Sequence, residues 1–192
     1  MTLTLLLAGC AGMASAVDAA ASRDSEAEEY SVYAALIGPM FIDDLVRSVV
    51  IKDHTTADLP DPDDRAGRLE QLRGKMPALS PKTVRDYLAK NQESHALSNR
   101  FDLKTPVVLL SNHEKNMLFQ SSSGWDELYA KYPRSQGLMT LSRVGFDPGM
   151  RQALVYIGNE RWWMRGAGYY VLLVRENNVW SIKDKDVAWI NP

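Results

Sequence analysis

The residues of this chain that could carry acid–base or metal chemistry are few. Its three histidines are His54, His95 and His113. A helix-borne metal site needs two imidazoles at i and i+4, and His113-Glu114 is followed by Met117 where H-E-x-x-H would place the second. The single Cys, Cys10, permits neither an internal disulfide nor a thiolate zinc site, so no metal and no cofactor is expected. Asp53-His54-Thr55 follows a β-branched run, and strand ends are where polar side chains project into clefts. An imidazole beside a carboxylate can serve as a general base, which makes Asp53 and His54 the catalytic candidates of a hydrolase. The competing reading is a surface turn in which Asp53 and Thr55 bond nearby backbone.

The other motifs point away from catalysis. Ser121-Ser122-Ser123-Gly124 lacks the G-x-S-x-G pattern of a nucleophile elbow and stands before a predicted helix, so the serines are expected as caps. Gly166-x-Gly168 lacks the third glycine of a dinucleotide fingerprint and leads into a β-type run; glycine there admits close approach by a neighbouring strand. Asp58, Asp61, Asp63 and Asp64 lack the glycine of a calcium loop and are expected in a solvated loop. Trp162-Trp163 lies between Arg161 and Arg165 in a predicted hairpin loop. Trp flanked by Arg is the composition that interfaces favour, so Arg161, Trp162, Trp163 and Arg165 are the binding candidates. A second reading sets one indole over the core and the other against a membrane interface.

Composition narrows the classes. The chain has 192 residues, 45% of them hydrophobic, with 22 Lys+Arg against 24 Asp+Glu and a formal net charge of −2. That suits one compact domain and excludes a low-complexity or collagen-like chain. No basic excess exists to neutralise phosphates, so nucleic acid is not an expected partner.

The start of the chain carries the most specific pattern. The apolar run Leu3 to Leu7 leads into Leu7-Ala8-Gly9-Cys10, which resembles a bacterial lipobox. The resemblance implies a signal peptide over 1–9, removed before a diacylglycerol-bearing Cys10, and Ala11 in place of Asp implies the outer membrane, facing the periplasm. Each buried acyl methylene contributes about 0.8 kcal/mol, so two or three chains anchor a protein where one holds it marginally. Ala14-Ser15-Ala16 offers an ordinary secretory cleavage site instead, with a soluble chain starting at Val17. Residues 10–24, rich in Ala and Ser, are expected as a flexible tether, and 25–192 as a single folded domain.

Within that domain, Ser25-Glu26-Ala27-Glu28 has the form of a capping box, and Tyr30, Tyr33, Ala34 and Ile37 form a helical stripe stopped by Gly38-Pro39. Arg47 to Lys52 and Pro106 to Leu110 read as strands. Short helices are expected around Leu69, Leu72 and Met76, over about 81–91 after Ser80-Pro81, and from Trp125 to Tyr132. The last third holds strands over 138–144, 152–157, 169–175, 179–183 and 187–190, joined by short links. Trp125, Trp180 and Trp189 are expected in the core. The architecture is therefore α+β, with N-terminal helices packed on one face of a C-terminal antiparallel meander.

Ser142-Arg143-Val144-Gly145-Phe146, Gln152-Ala153-Leu154-Val155-Tyr156-Ile157-Gly158, Gly166-Ala167-Gly168-Tyr169-Tyr170-Val171-Leu172-Leu173 and Trp189-Ile190 occur in an order that resembles an uncharacterised family of bacterial secreted proteins and lipoproteins. The resemblance covers about 125–191 and implies no activity. The order of elements is also similar to cone-shaped domains of the nuclear-transport-factor-2-like kind. Together these features lead to the expectation of a non-enzymatic, lipid-anchored envelope protein that binds an envelope protein or a small ligand, with a periplasmic hydrolase using Asp53 and His54 as the alternative.

Overall fold

The computed structural model describes residues 11–57, 62–162 and 165–191, so Cys10 and Trp163 lie outside the described residues. It is an α+β fold built on a seven-stranded sheet. The strands are β1 (Ser48–Lys52), β2 (Val107–Leu110), β3 (Ser135–Leu141), β4 (Gly145–Phe146), β5 (Gln152–Glu160), β6 (Gly166–Glu176) and β7 (Val179–Asn191). They are ordered β2-β1-β3-β5-β6-β7, with β4 paired to β5. The helices are α1 (Ala11–Phe41), α2 (Pro62–Lys75), α3 (Pro81–Lys90), α4 (Asn112–Leu118) and α5 (Gly124–Lys131).

The first helix is longer than its apolar stripe. Tyr30, Val32, Tyr33, Leu36 and Ile37 are buried, as the spacing requires. The stretch 11–24, expected as a tether, instead continues α1, because Ala is the strongest helix former. Ser25-Glu26-Ala27-Glu28 therefore lies inside the helix rather than capping it, and Glu28 accepts from Trp180 Nε1. At the other end Pro39 removes only one intrahelical donor in the last turn, so the helix runs on to Phe41. Proline at the first turn also explains α2, which begins at Pro62 inside the expected loop. Ser80 caps α3 as its sequence predicts, accepting from Lys82 N at 3.2 Å. The unanticipated α4 is capped by Ser111.

Only part of the sheet is the expected meander. Strands β3, β5, β6 and β7 pair antiparallel, but β1 runs parallel to both of its neighbours, β2 and β3. The helical crossovers that follow β1 and β2 return the chain to the same end of the sheet, which is what parallel pairing needs. The two segments expected over 179–183 and 187–190 form one strand. Two irregularities absorb the apparent link: Leu172 pairs with Asp184 and Leu173 with Ile182, while Gly168 pairs with Trp189 and Tyr169 with Val187. Each leaves one extra residue on β7, as in a bulge.

Helices cover both faces of the sheet rather than the one expected. On one face α1 packs with Val49, Ile51, Met139, Val155, Ile157, Val171 and Leu173. On the other, α2 and α3 pack with Leu154, Tyr156, Tyr170 and Leu172, and α5 brings Leu128 against Val50, Leu110 and Leu138. Successive residues of β5 thus enter different clusters, so the strand is buried on both sides and shows no polar alternation. Of the three tryptophans expected in the core, Trp180 is buried, while Trp125 and Trp189 are only partly covered.

Candidate functional site

Asp53 and His54 come together as a pair at an exposed position. His54 Nδ1 lies 2.8 Å from Asp53 Oδ1, but the histidine side chain is 45% exposed. Residues 53–55 bridge antiparallel to 95–97: Thr55 N donates to His95 O at 2.8 Å and Leu97 N to Asp53 O at 2.8 Å. The segment is a bridge rather than the expected turn, and it continues the chain past the end of β1.

The glycine motif resolves into packing. A Cβ at Gly168 would stand 2.2 Å from Trp189 Nε1, one at Gly158 3.4 Å from the same indole, and one at Gly166 3.2 Å from it. The Trp189 ring lies over these glycines, and its Nε1 donates to Tyr156 Oη at 2.8 Å. An aromatic laid over strand glycines restores the contacts that missing side chains forfeit.

A buried carboxylate also proves structural. Glu29 is 2% exposed and receives Arg143 Nη2 at 2.6 Å and Nε at 3.0 Å, with Val144 N at 3.4 Å. Tyr33 Oη donates to Ser142 O at 2.8 Å, and its pKa is pushed well up, first by burial and then by the Glu29 charge. Every member has a partner, so the cluster resembles a locked core network more than a reactive acid.

One cleft lies beside α3 and another at the end of α1. The larger, about 590 Å³, is lined by Lys82, Arg85, Asp86, Lys90, Phe146 and Asp147 among others. Its carboxylates are occupied. Asp86 Oδ2 accepts from Phe146 N at 2.7 Å and pairs with Lys90 at 3.0 Å, and Asp147 Oδ1 accepts from Arg151 N and Gln152 N at 2.6 and 2.7 Å.

The second cleft, about 450 Å³, opens where α1 ends beside the β5–β6 hairpin. Arg161 and Arg165 face each other across the hairpin mouth, Arg161 N donating to Arg165 O at 2.6 Å. Gly137 makes room for this geometry: at φ 113° it lets β3 pass so close that a Cβ would stand 2.2 Å from Glu160 O. Lys185 of β7 completes the cationic lining, its Nζ 5.4 Å from the centre of the Tyr169 ring. Pro39, Met40 and Phe41 supply an apolar wall. Among the described residues no carboxylate lies within salt-bridge distance of Arg161, Arg165 or Lys185. Trp162, 48% exposed, stands at the rim. Its backbone N–H donates to the Tyr129 hydroxyl of α5, whose pKa burial pushes up and this bond and the Arg161 charge draw down. The structure thus brings Arg161, Trp162 and Arg165 together and adds Lys185, a residue that no local motif marks, since it belongs to a strand the sequence splits at that point. Three unneutralised cations around an apolar-walled recess can hold an anionic group by charge-assisted hydrogen bonds.

Among the described residues no three His, Cys, Asp or Glu side chains are grouped closely enough to hold a metal ion, and no helix is long and apolar enough to cross a membrane. Compared with protein-family models, with curated proteins and with solved structures, the chain matches none.

Proposed function

We propose that this chain is a lipid-anchored binding domain of the bacterial cell envelope, acylated at Cys10, held at the outer membrane facing the periplasm, and capturing an anionic partner or small ligand at Arg161, Arg165 and Lys185. The observation that carries the binding role is the set of three cations lining one recess without a carboxylate partner among the described residues. Structural arginines in this protein look different: Arg143 is fully engaged by Glu29 and Arg175 lies 3.4 Å from Glu28. The anchor reading is supported by Leu7-Ala8-Gly9-Cys10. It also agrees with the direction of α1, which starts next to Cys10 and ends at the cleft. At 1.5 Å per residue its 31 residues span about 46 Å.

Intact-mass measurement of the mature protein tests the anchor. A chain starting at an acylated Cys10 is expected, and an unmodified chain starting at Val17 or retaining Met1 would remove that part of the proposal. Pull-down from an envelope extract with Arg161→Gln and Arg165→Gln tests the cleft, where loss of a partner held by the native chain is expected. The 2.8 Å contact between Asp53 and His54 supports a second reading, a periplasmic hydrolase. It would replace the first if His54→Ala left the fold intact but abolished turnover of an ester or cell-wall substrate.

A further inference from the structure

The cleft continues beyond the three cations. A second concavity, about 440 Å³, shares Phe41 and Arg161 with the first and reaches Arg134, Tyr129 and Leu45. The two form one groove with unlike walls. Arg134 stands just ahead of β3, Arg161 at the end of β5 and Arg165 ahead of β6, all at one end of the sheet, and Lys185 lies farther in on β7, opposite Val171. Neighbouring strands lie about 4.8 Å apart, so the three arginines form a comb spread over roughly 10 Å across the strands, and Lys185 adds a charge farther along the groove. The opposite wall is apolar, built from Pro39, Met40 and Phe41 at the end of α1 and from Leu45, which is 70% exposed. Of the two acids between Phe41 and Leu45, Asp43 lines the groove, and its Oδ1 accepts from Leu45 N at 2.8 Å and Val46 N at 3.2 Å. None of the four cations has a carboxylate partner among the described residues.

We infer that the groove binds an extended polypeptide segment that alternates acidic with apolar side chains, its carboxylates on the arginine comb and its apolar side chains against Met40, Phe41 and Leu45. An extended chain sends successive side chains to opposite sides and repeats every two residues at about 6.7 Å, within the reach of flexible Arg stems. Arg clusters recognise acidic segments through bidentate carboxylate pairing. A phosphate polymer has no apolar side groups for the facing wall, and a protein of net charge −2 does not favour a dense polyanion. The inference rests on the binding role proposed for the cleft and not on the anchor.

The test is titration of the full chain with a ten-residue peptide alternating Glu with Val, followed by calorimetry and by Trp fluorescence, with inorganic polyphosphate, a Lys-Val peptide and phosphatidylglycerol vesicles as parallel probes. Binding of the Glu-Val peptide is expected, weakened about tenfold by each of Arg134→Gln, Arg161→Gln and Arg165→Gln. Leu45→Ser is expected to weaken that peptide but not polyphosphate. All four positions are exposed, so unchanged circular dichroism is expected to confirm the fold of each variant. Arginine-dependent binding of polyphosphate or vesicles without the peptide would overturn the inference and leave the anion cleft standing. Peptide binding that the arginine variants do not weaken, or equal binding of the Lys-Val peptide, would also overturn it. No binding by any probe would remove both.

Discussion

Trp189 decides what can stand at Gly168, because its indole occupies the space a methyl group would need. Gly168→Ala is expected to cost about 1–3 kcal/mol, as overpacking does, and to cost less in a Trp189→Ala background. Urea denaturation of the double-mutant cycle measures the coupling. Arg143 answers to a different rule. Its replacement by Met leaves the buried Glu29 with only Lys90, 4.0 Å away, as a cationic partner, a change expected to lower stability by about 3 kcal/mol in the same assay. Tyr33 adds a pH dependence whose sign follows from its raised folded-state pKa. The protonated phenol contributes fully below the unfolded tyrosine value. That contribution is lost as pH rises from there toward the higher folded value, so stability falls above about pH 10. Tyr33→Phe is expected to flatten that fall while costing about 1 kcal/mol at neutral pH through the lost bond to Ser142 O, read from urea midpoints across alkaline pH. His54 and Asp53 were legible as a pair, but their exposure was not, since exposure depends on residues 95–97, which lie some forty positions downstream.

Among the elements, α3 shows how a local signal and a distant one combine. Ser80-Pro81 marks its start in the sequence, and the structure adds Gln152 of β5. The Gln152 Oε1 accepts from Ser80 N at 2.7 Å and Thr83 Oγ1 at 2.9 Å, while Nε2 donates to Ala78 O at 2.8 Å. Gln152→Ala is therefore expected to destabilise by about 1–3 kcal/mol, at least as much as the typical 1 kcal/mol for losing the Ser80 cap, with thermal unfolding as the measurement. Helices with a strong stripe and a stop signal were legible: α3 and α5 fall within a residue or two of their expected bounds. The division of β7 was misread because Lys183-Asp184-Lys185-Asp186 looks like a polar link. It is instead the charged, bulged outer strand of the sheet, a pattern that discourages edge-to-edge pairing.

For the whole molecule, the first buried residues among those whose burial is described are Glu29 and Tyr30, so a chain lacking residues 1–24 is expected to unfold cooperatively with a midpoint close to that of the full chain. Calorimetry checks this, and loss of a cooperative transition would show that the first half of α1 is needed for folding. What the amino-acid order determined by itself is local: helical and strand periods, proline and serine boundaries, an α+β composition, and the arginines flanking Trp162. These depend on neighbours within a turn or a hairpin. Tertiary structure alone decided that helices cover both faces, that β1 runs parallel to its neighbours, and that Lys185 joins Arg161 and Arg165. It also decided which cations lack a carboxylate partner, because pairing and burial depend on side chains tens of residues apart that meet only when the sheet closes.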